Sequence, residues 1–150
     1  MADLLNETDR EFFRTTLNDL FDTFKRKIVV HKEPLKKIVN PALDVYAGYM
    51  DTSTPQNIEY IHQSKEIEAI VSYLDSASSQ TSGLEDDLHV AIPRNASVRI
   101  KVKQDSRDYI AKGKTERIDI DGKSFNLVGK EAVKYNFGTK LYVYYLEQTT

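Results

Sequence analysis

The chain has 150 residues and no cysteine. That removes disulfides, thiolate catalysis, iron–sulfur clusters and cysteine zinc sites together, and it fits a reducing compartment. Tryptophan is also absent, and glycine is scarce at 6 residues. No glycine-rich phosphate loop is present. No apolar run approaches the ~20 residues of a membrane span. Residues Met1 to Thr8 lack the basic start and apolar core of a signal peptide, so none is expected. The formal charge of −2 and pI near 5.9 leave no whole-chain polycation to hold nucleic acid.

What is present fits one domain, residues 1–150. Its 9 tyrosines and 6 phenylalanines tilt the aromatic content toward rings that suit half-wet surfaces. Thr8-Asp-Arg-Glu11 has capping-box spacing. Phe13, Leu17, Leu20, Phe21 and Phe24 then fall on one helical face, which predicts a helix over about 9–26. Lys25, Arg26 and Lys27 at its end suit the helix dipole. Phe12 lies off the stripe, so the apolar face is wider than one core needs. Ile28-Val-Val30 reads as a short strand that Pro34 ends. Residues 31–57, including the apolar stretch Leu43 to Met50, read as an irregular excursion.

A β-unit is expected over 58–147. Asn57 to His62 reads as one strand and Glu66 to Leu74 as another, with Ile67, Ala69, Val71 and Tyr73 alternating. Residues 75–86 are serine-rich and acidic, a flexible loop. Leu88, Val90 and Ile92 alternate up to Pro93. Val98, Ile100 and Val102 alternate with Arg99, Lys101 and Lys103, a half-buried strand with a basic outer face. Ser106 to Lys112 suggests a helical turn that Gly113 ends. Ile118 and Ile120 lead into Asp121-Gly122, a strong hairpin signal. Gly129 and Gly138 are expected to bracket a connection carrying Tyr135 and Phe137. Leu141 to Leu146 is apolar on both faces, as for a strand between two layers or two chains. The sum is an α+β domain: an N-terminal α-helix plus a small antiparallel β-barrel or sandwich with long loops.

Chemistry is sparse. His31, His62 and His89 share no metal-ligand spacing. Asp119-Ile-Asp121-Gly122 resembles a calcium loop only in passing, because its isoleucines alternate as in a strand. No nucleophile elbow occurs, and no carboxylate pair stands in an apolar stretch. No catalytic residue, metal, cofactor or small-molecule substrate is expected. The clearest local signal is a net charge of +5 over residues 94–117. Arg99, Lys101, Lys103, Arg107, Lys112 and Lys114 carry most of it. They suit a solvated face, contact with an acidic partner or DNA, or the basic edge of a copy that meets an acidic edge of the next.

The element order, with Val98-Arg-Ile-Lys-Val102, the hairpin Ile118 to Val128 and the aromatic strand Leu141 to Leu146, resembles the small neck proteins of tailed bacteriophages. These are the head-closure or head–tail connector type. The resemblance implies no catalysis and a virion protein assembled in the host cytoplasm. It implies a ring of six or twelve copies between portal and tail proteins, with non-specific contact to DNA in the lumen. Phe12, Phe13, Leu17, Phe21, Tyr142 and Tyr144 are then candidates for the subunit interface. A tail-terminator or baseplate protein is a close variant. A nucleic-acid-binding barrel is the alternative, with Tyr109 or Tyr73 stacking beside Arg99, Lys101 and Lys103.

Overall fold

The computed structural model describes residues 4–38, 58–74, 93–136 and 138–149. The expected strand Leu88 to Ile92, the loop 75–86 and most of the excursion lie outside them. Helix α1 spans Glu7–Phe24. Asn6 is its N-cap, and the Asn6 backbone N–H donates to Asp9 Oδ2 at 3.3 Å. Asn6 and Thr8 each have an acid three residues on. The cap falls at Asn6, a better capping residue than threonine, so the helix begins two residues earlier than the Thr8 box implies.

Lys25 is already extended, with φ −63° and ψ 141°. Strand β1 runs from there, Lys25–Ile38, so Lys25, Arg26 and Lys27 open a strand and do not close the helix. The reason is cross-strand pairing. Lys25 Nζ reaches Glu68 at 3.0 Å and Lys27 Nζ reaches Glu66 at 2.9 Å. Between these lysines and His31, Ile28 and Val30 point inward and are fully buried. Pro34 does not end β1. The register with the next strand shifts between Lys32 and Leu35. Pro34 sits in that bulge, where its missing N–H costs no ladder bond.

Strand β2 is one element, Ile58–Tyr73, not two. Strand β3 is Val98–Val102, helix α2 is Gln104–Ala111 and strand β4 is Thr115–Ile120. Strands β5, Lys123–Asn136, and β6, Thr139–Gln148, complete the chain. The six strands close an antiparallel barrel in the order β1-β2-β3-β6-β5-β4. The α+β reading with a small antiparallel barrel holds.

The lumen is filled by alternate residues of each strand. Ile28, Ile100, Ile118, Phe125 and Leu146 are among those with at most 1% exposure. Helix α2 adds Ile110 to this core from one end. The last strand is apolar on both faces because both are covered within one chain. Tyr142, Tyr144 and Leu146 join the lumen, while Val143 and Tyr145 pack outside with Ala132, Leu74 and Ala96.

At the β4–β5 hairpin Asp121 and Gly122 have φ of 50° and 78°. Two consecutive left-handed residues are what a two-residue type I′ turn requires. Gly129 does not open a connection. It lies in a bulge inside β5, between Val128 and Ala132, and Gly138 follows in the β5–β6 turn.

A side chain at Gly122 meets nothing within 4 Å, whereas one at Gly129 would stand 2.8 Å from Pro93 Cγ. Both positions carry the left-handed penalty of about 1–2 kcal/mol; only the second adds a clash. Gly129→Ala should therefore lower the urea-unfolding free energy by more than Gly122→Ala. Equal losses would show that Pro93 yields freely.

Candidate assembly surface

Three elements leave the barrel with apolar side chains in solvent. The first is α1. A 3.6-residue period places Phe13, Leu17, Leu20 and Phe24 in one stripe, with Phe21 beside it. Phe21 alone is buried, at 2% exposure, under the Lys103 ammonium 4.5 Å from its ring centre. Arg14 packs against Gly138, its guanidinium 2.8 Å from where a Cβ would stand. The helix thus touches the barrel along a narrow seam. Leu17 is half-buried, while Phe13, Leu20, Phe24 and the off-stripe Phe12 are exposed, Phe12 by 68%.

The second element is a β1–β2 ribbon. β4 pairs with β1 only as far as Lys32, and β3 pairs with β2 only from Ala69. Beyond those points, apart from the Glu33 N–H donated to Lys114 O at 3.2 Å, β1 and β2 pair only with each other among the described residues, Leu35 opposite Ile61 and Lys36 opposite Tyr60. Leu35, Tyr60 and Ile61 are exposed there. The third element is the β5–β6 ribbon, where Val133 and Tyr135 are exposed, Tyr135 by 62%. Both ribbons leave the end of the barrel that α2 occupies, because α2 joins the end of β3 to the start of β4.

Two candidate interface residues are spent inside the chain. Tyr142 and Tyr144 are each 8% exposed and face the lumen. Tyr142 donates to Gln104 Oε1 at 2.5 Å, and Tyr144 donates to Glu131. Burial, reinforced by Glu131, holds the Tyr144 phenol far above its ordinary range. Arg107 Nε donates to both Glu131 oxygens at 3.2 Å, and its guanidinium lies 5.3 Å from the Tyr142 ring centre. Phe21, likewise, packs on its own barrel.

The basic residues do not gather on one open face. Arg99 and Lys101 are half-buried on the outside of β3. Lys103 caps α2 and lies 3.8 Å from Asp22. Arg107 belongs to the network under α2, and Lys114 pairs with Glu33 at 2.5 Å. Lys112 is exposed at the end of α2. The two tyrosines offered for stacking are also engaged. Tyr73 donates to Asp121 at 2.9 Å, and the Tyr109 ring centre lies 5.3 Å from both Lys32 and Lys65 Nζ.

Two polar groups tie the barrel at the β1–β4 seam. His31 Nε2 is 2.7 Å from Asp119 Oδ2, and Ser124 donates to Asp119 Oδ1 at 2.7 Å. Burial opposes ionisation of Asp119. Ser124, His31 and Arg117 outweigh it and hold the carboxyl below its usual range. Lys32 is buried, at 5% exposure, and donates to Ile110 O at 2.5 Å and Thr115 Oγ1 at 2.7 Å. Among the described residues no group of three or more His, Asp or Glu is placed to hold a metal, and no helix is long and apolar enough to cross a membrane. One surface depression of about 580 Å³ is an open groove over β4 and β5 lined by polar chains including Arg117, Lys123 and Asn126.

These features define a small closed antiparallel barrel with one projecting helix and two projecting ribbons. No protein-family model, curated protein or solved structure matches the chain.

Why these features were or were not foreseen is physical. Phe13 and Leu17 follow from helical period, and Phe12 from its place off that stripe. Leu35, Tyr60, Ile61, Val133 and Tyr135 do not, because a strand that overshoots its neighbours has the same alternation as one that does not. Unequal strand lengths were the only available signal.

Burial lowers the Lys32 pKa, with no carboxylate to offset it. The folded chain therefore binds fewer protons than the unfolded one in alkali, so this group makes stability rise as pH climbs through the folded pKa. Lys32→Met should abolish that rise. Thr115 Oγ1 still donates to Ile110 O at 3.2 Å, so unfolding at pH 7 should be unchanged or stabilised by up to about 1 kcal/mol. Urea titrations at pH 7 and pH 10 check both points; a loss of more than about 2 kcal/mol at pH 7 would mean the ammonium is a net stabiliser.

Proposed function

We propose that this chain is a structural subunit of a tailed-phage virion that forms a ring in the neck between portal and tail. One observation carries the reading: large apolar side chains project from the barrel on α1 and on both ribbons. The barrel core is complete without them. Each such side chain gains about 1.5–3 kcal/mol on full burial. Large exposed apolar side chains grouped on projecting elements mark a contact surface. The layout of helix, hairpin and closing aromatic strand supports placing that contact in a phage neck, through its resemblance to head-closure and connector proteins. The role is mechanical: the barrel holds the subunit rigid, and the projections bind neighbouring copies, portal and tail.

Light scattering of the chain alone and with portal and tail proteins tests this. A multimer, or a monomer that multimerises on those partners, is expected. Phe24→Glu should weaken assembly while shifting unfolding by less than about 0.5 kcal/mol, since Phe24 is 61% exposed. A persistent monomer with no affinity for either partner overturns the reading.

A further inference from the structure

We propose that neighbouring copies join by strand addition, the open edge of β2 in one copy pairing antiparallel with the open edge of β5 in the next. This deepens the ring reading and rests on it. The β3-side edge of β2 is unpaired from Ile58 to Glu68 among the described residues. The β4-side edge of β5 is likewise unpaired from Asn126 to Asn136 among the described residues. An open edge is normally blunted by proline, a bulge or a short strand. The outer edge of β1 has such protection, with Pro34 in a bulge. The β2 edge from Ile58 to Glu68 contains neither proline nor glycine. Beyond its Gly129 bulge, β5 resumes regular pairing with β6 from Ala132 to Asn136.

One register matches the two edges residue by residue. With Tyr60 opposite Val133, Ile58 falls opposite Tyr135, Glu59 opposite Lys134 and Ile61 opposite Ala132. Ile58, Tyr60, Val133 and Tyr135 are all exposed in the isolated chain. Neither Glu59 nor Lys134 makes an ion pair with a described residue. Opposite-charge and aromatic–aliphatic cross-strand pairs are both stabilising. A slip by one residue sets Tyr60 against Lys134 and Glu59 against Tyr135, which breaks the charge pair and both aromatic–aliphatic pairs and leaves Ile61 with Val133 as the apolar match.

The faces agree as well. Ile67 and Ala69 point into the barrel, so Ile58 and Tyr60 carry outward parity. Tyr142 points inward and is paired with Val133, so Val133 and Tyr135 carry inward parity. Given the strand order, β5 can lie antiparallel to β2 with its open edge toward it only when the neighbour shows its opposite face. Outward parity of one copy then shares a face with inward parity of the next. The two edges are different surfaces, so each copy offers one of each. That is a heterologous contact, which propagates from copy to copy and closes into a ring where the rotation between copies divides a full turn.

The absence of native cysteine makes a direct test available. Glu59→Cys and Lys134→Cys are purified separately, mixed and oxidised, with portal and tail proteins present if assembly needs them. Directly opposed strand residues lie within disulfide reach. A 59–134 heterodimer should form at least about tenfold faster than the product of Glu59→Cys with Lys123→Cys, an exposed position off the edge. Multimers by light scattering with no preferential 59–134 link, or with 59–59 links dominant, overturn strand addition and leave the ring reading standing. A monomer under every condition overturns both.

Discussion

The structure depends on a mismatch of strand lengths. The barrel is closed by its two shortest strands, β3 of 5 residues and β4 of 6. The other four run from 10 to 16 residues. A barrel wall can be continuous only where all its strands are present. The excess length of β1 with β2, and of β5 with β6, therefore has to leave as two-stranded ribbons. Helix α2 connects the two short strands, so it lies at the end from which the ribbons depart. There it closes the lumen with Ile110, and the Tyr142, Tyr144, Gln104, Arg107 and Glu131 contacts satisfy the polar groups beneath it.

Much of the barrel was legible because strand alternation is a local code. Val98, Ile100 and Val102 are inward and buried, and the Asp121-Gly122 turn adopts the left-handed pair its residues favour. Pro34 misled because its cost depends on register, and the bulge that removes the cost belongs to the β1–β2 pairing. Lys25 to Lys27 misled for a similar reason. Basic residues suit a helix C-terminus and suit a strand opposite glutamates, and only the partner strand decides. Tyr142 and Tyr144 were ambiguous in kind. A strand apolar on both faces needs two covers, and its own sequence does not say whether the second comes from the same chain.

The basic segment shows how charge counting fails without geometry. A net +5 over residues 94–117 suggests a single electrostatic surface. The fold spreads it across the outside of β3, the cap of α2, the network under α2 and the loop before β4. Asp22, Glu131 and Glu33 then answer Lys103, Arg107 and Lys114 from other elements. The local excess of one sign was real in sequence, and three of its residues tie α1, α2 and the β1 bulge to the barrel.

Strand-length mismatch also links folding to assembly. A two-stranded ribbon is marginal in water, because it has one ladder and no third strand or covering layer. Here each ribbon is anchored at one end by the barrel wall, which fixes its register, while its far end exposes apolar side chains. A third strand from a neighbour would add a second ladder and cover those side chains in one event. In such an assembly the rigid part of the molecule would supply register and direction, and the under-supported part the driving force. Lengthening β3 or β4 would complete the wall and stabilise the isolated subunit, but it would also fill the edges left open for a neighbour. On the strand-addition proposal, the short strands are the feature that leaves two edges free for a neighbouring copy.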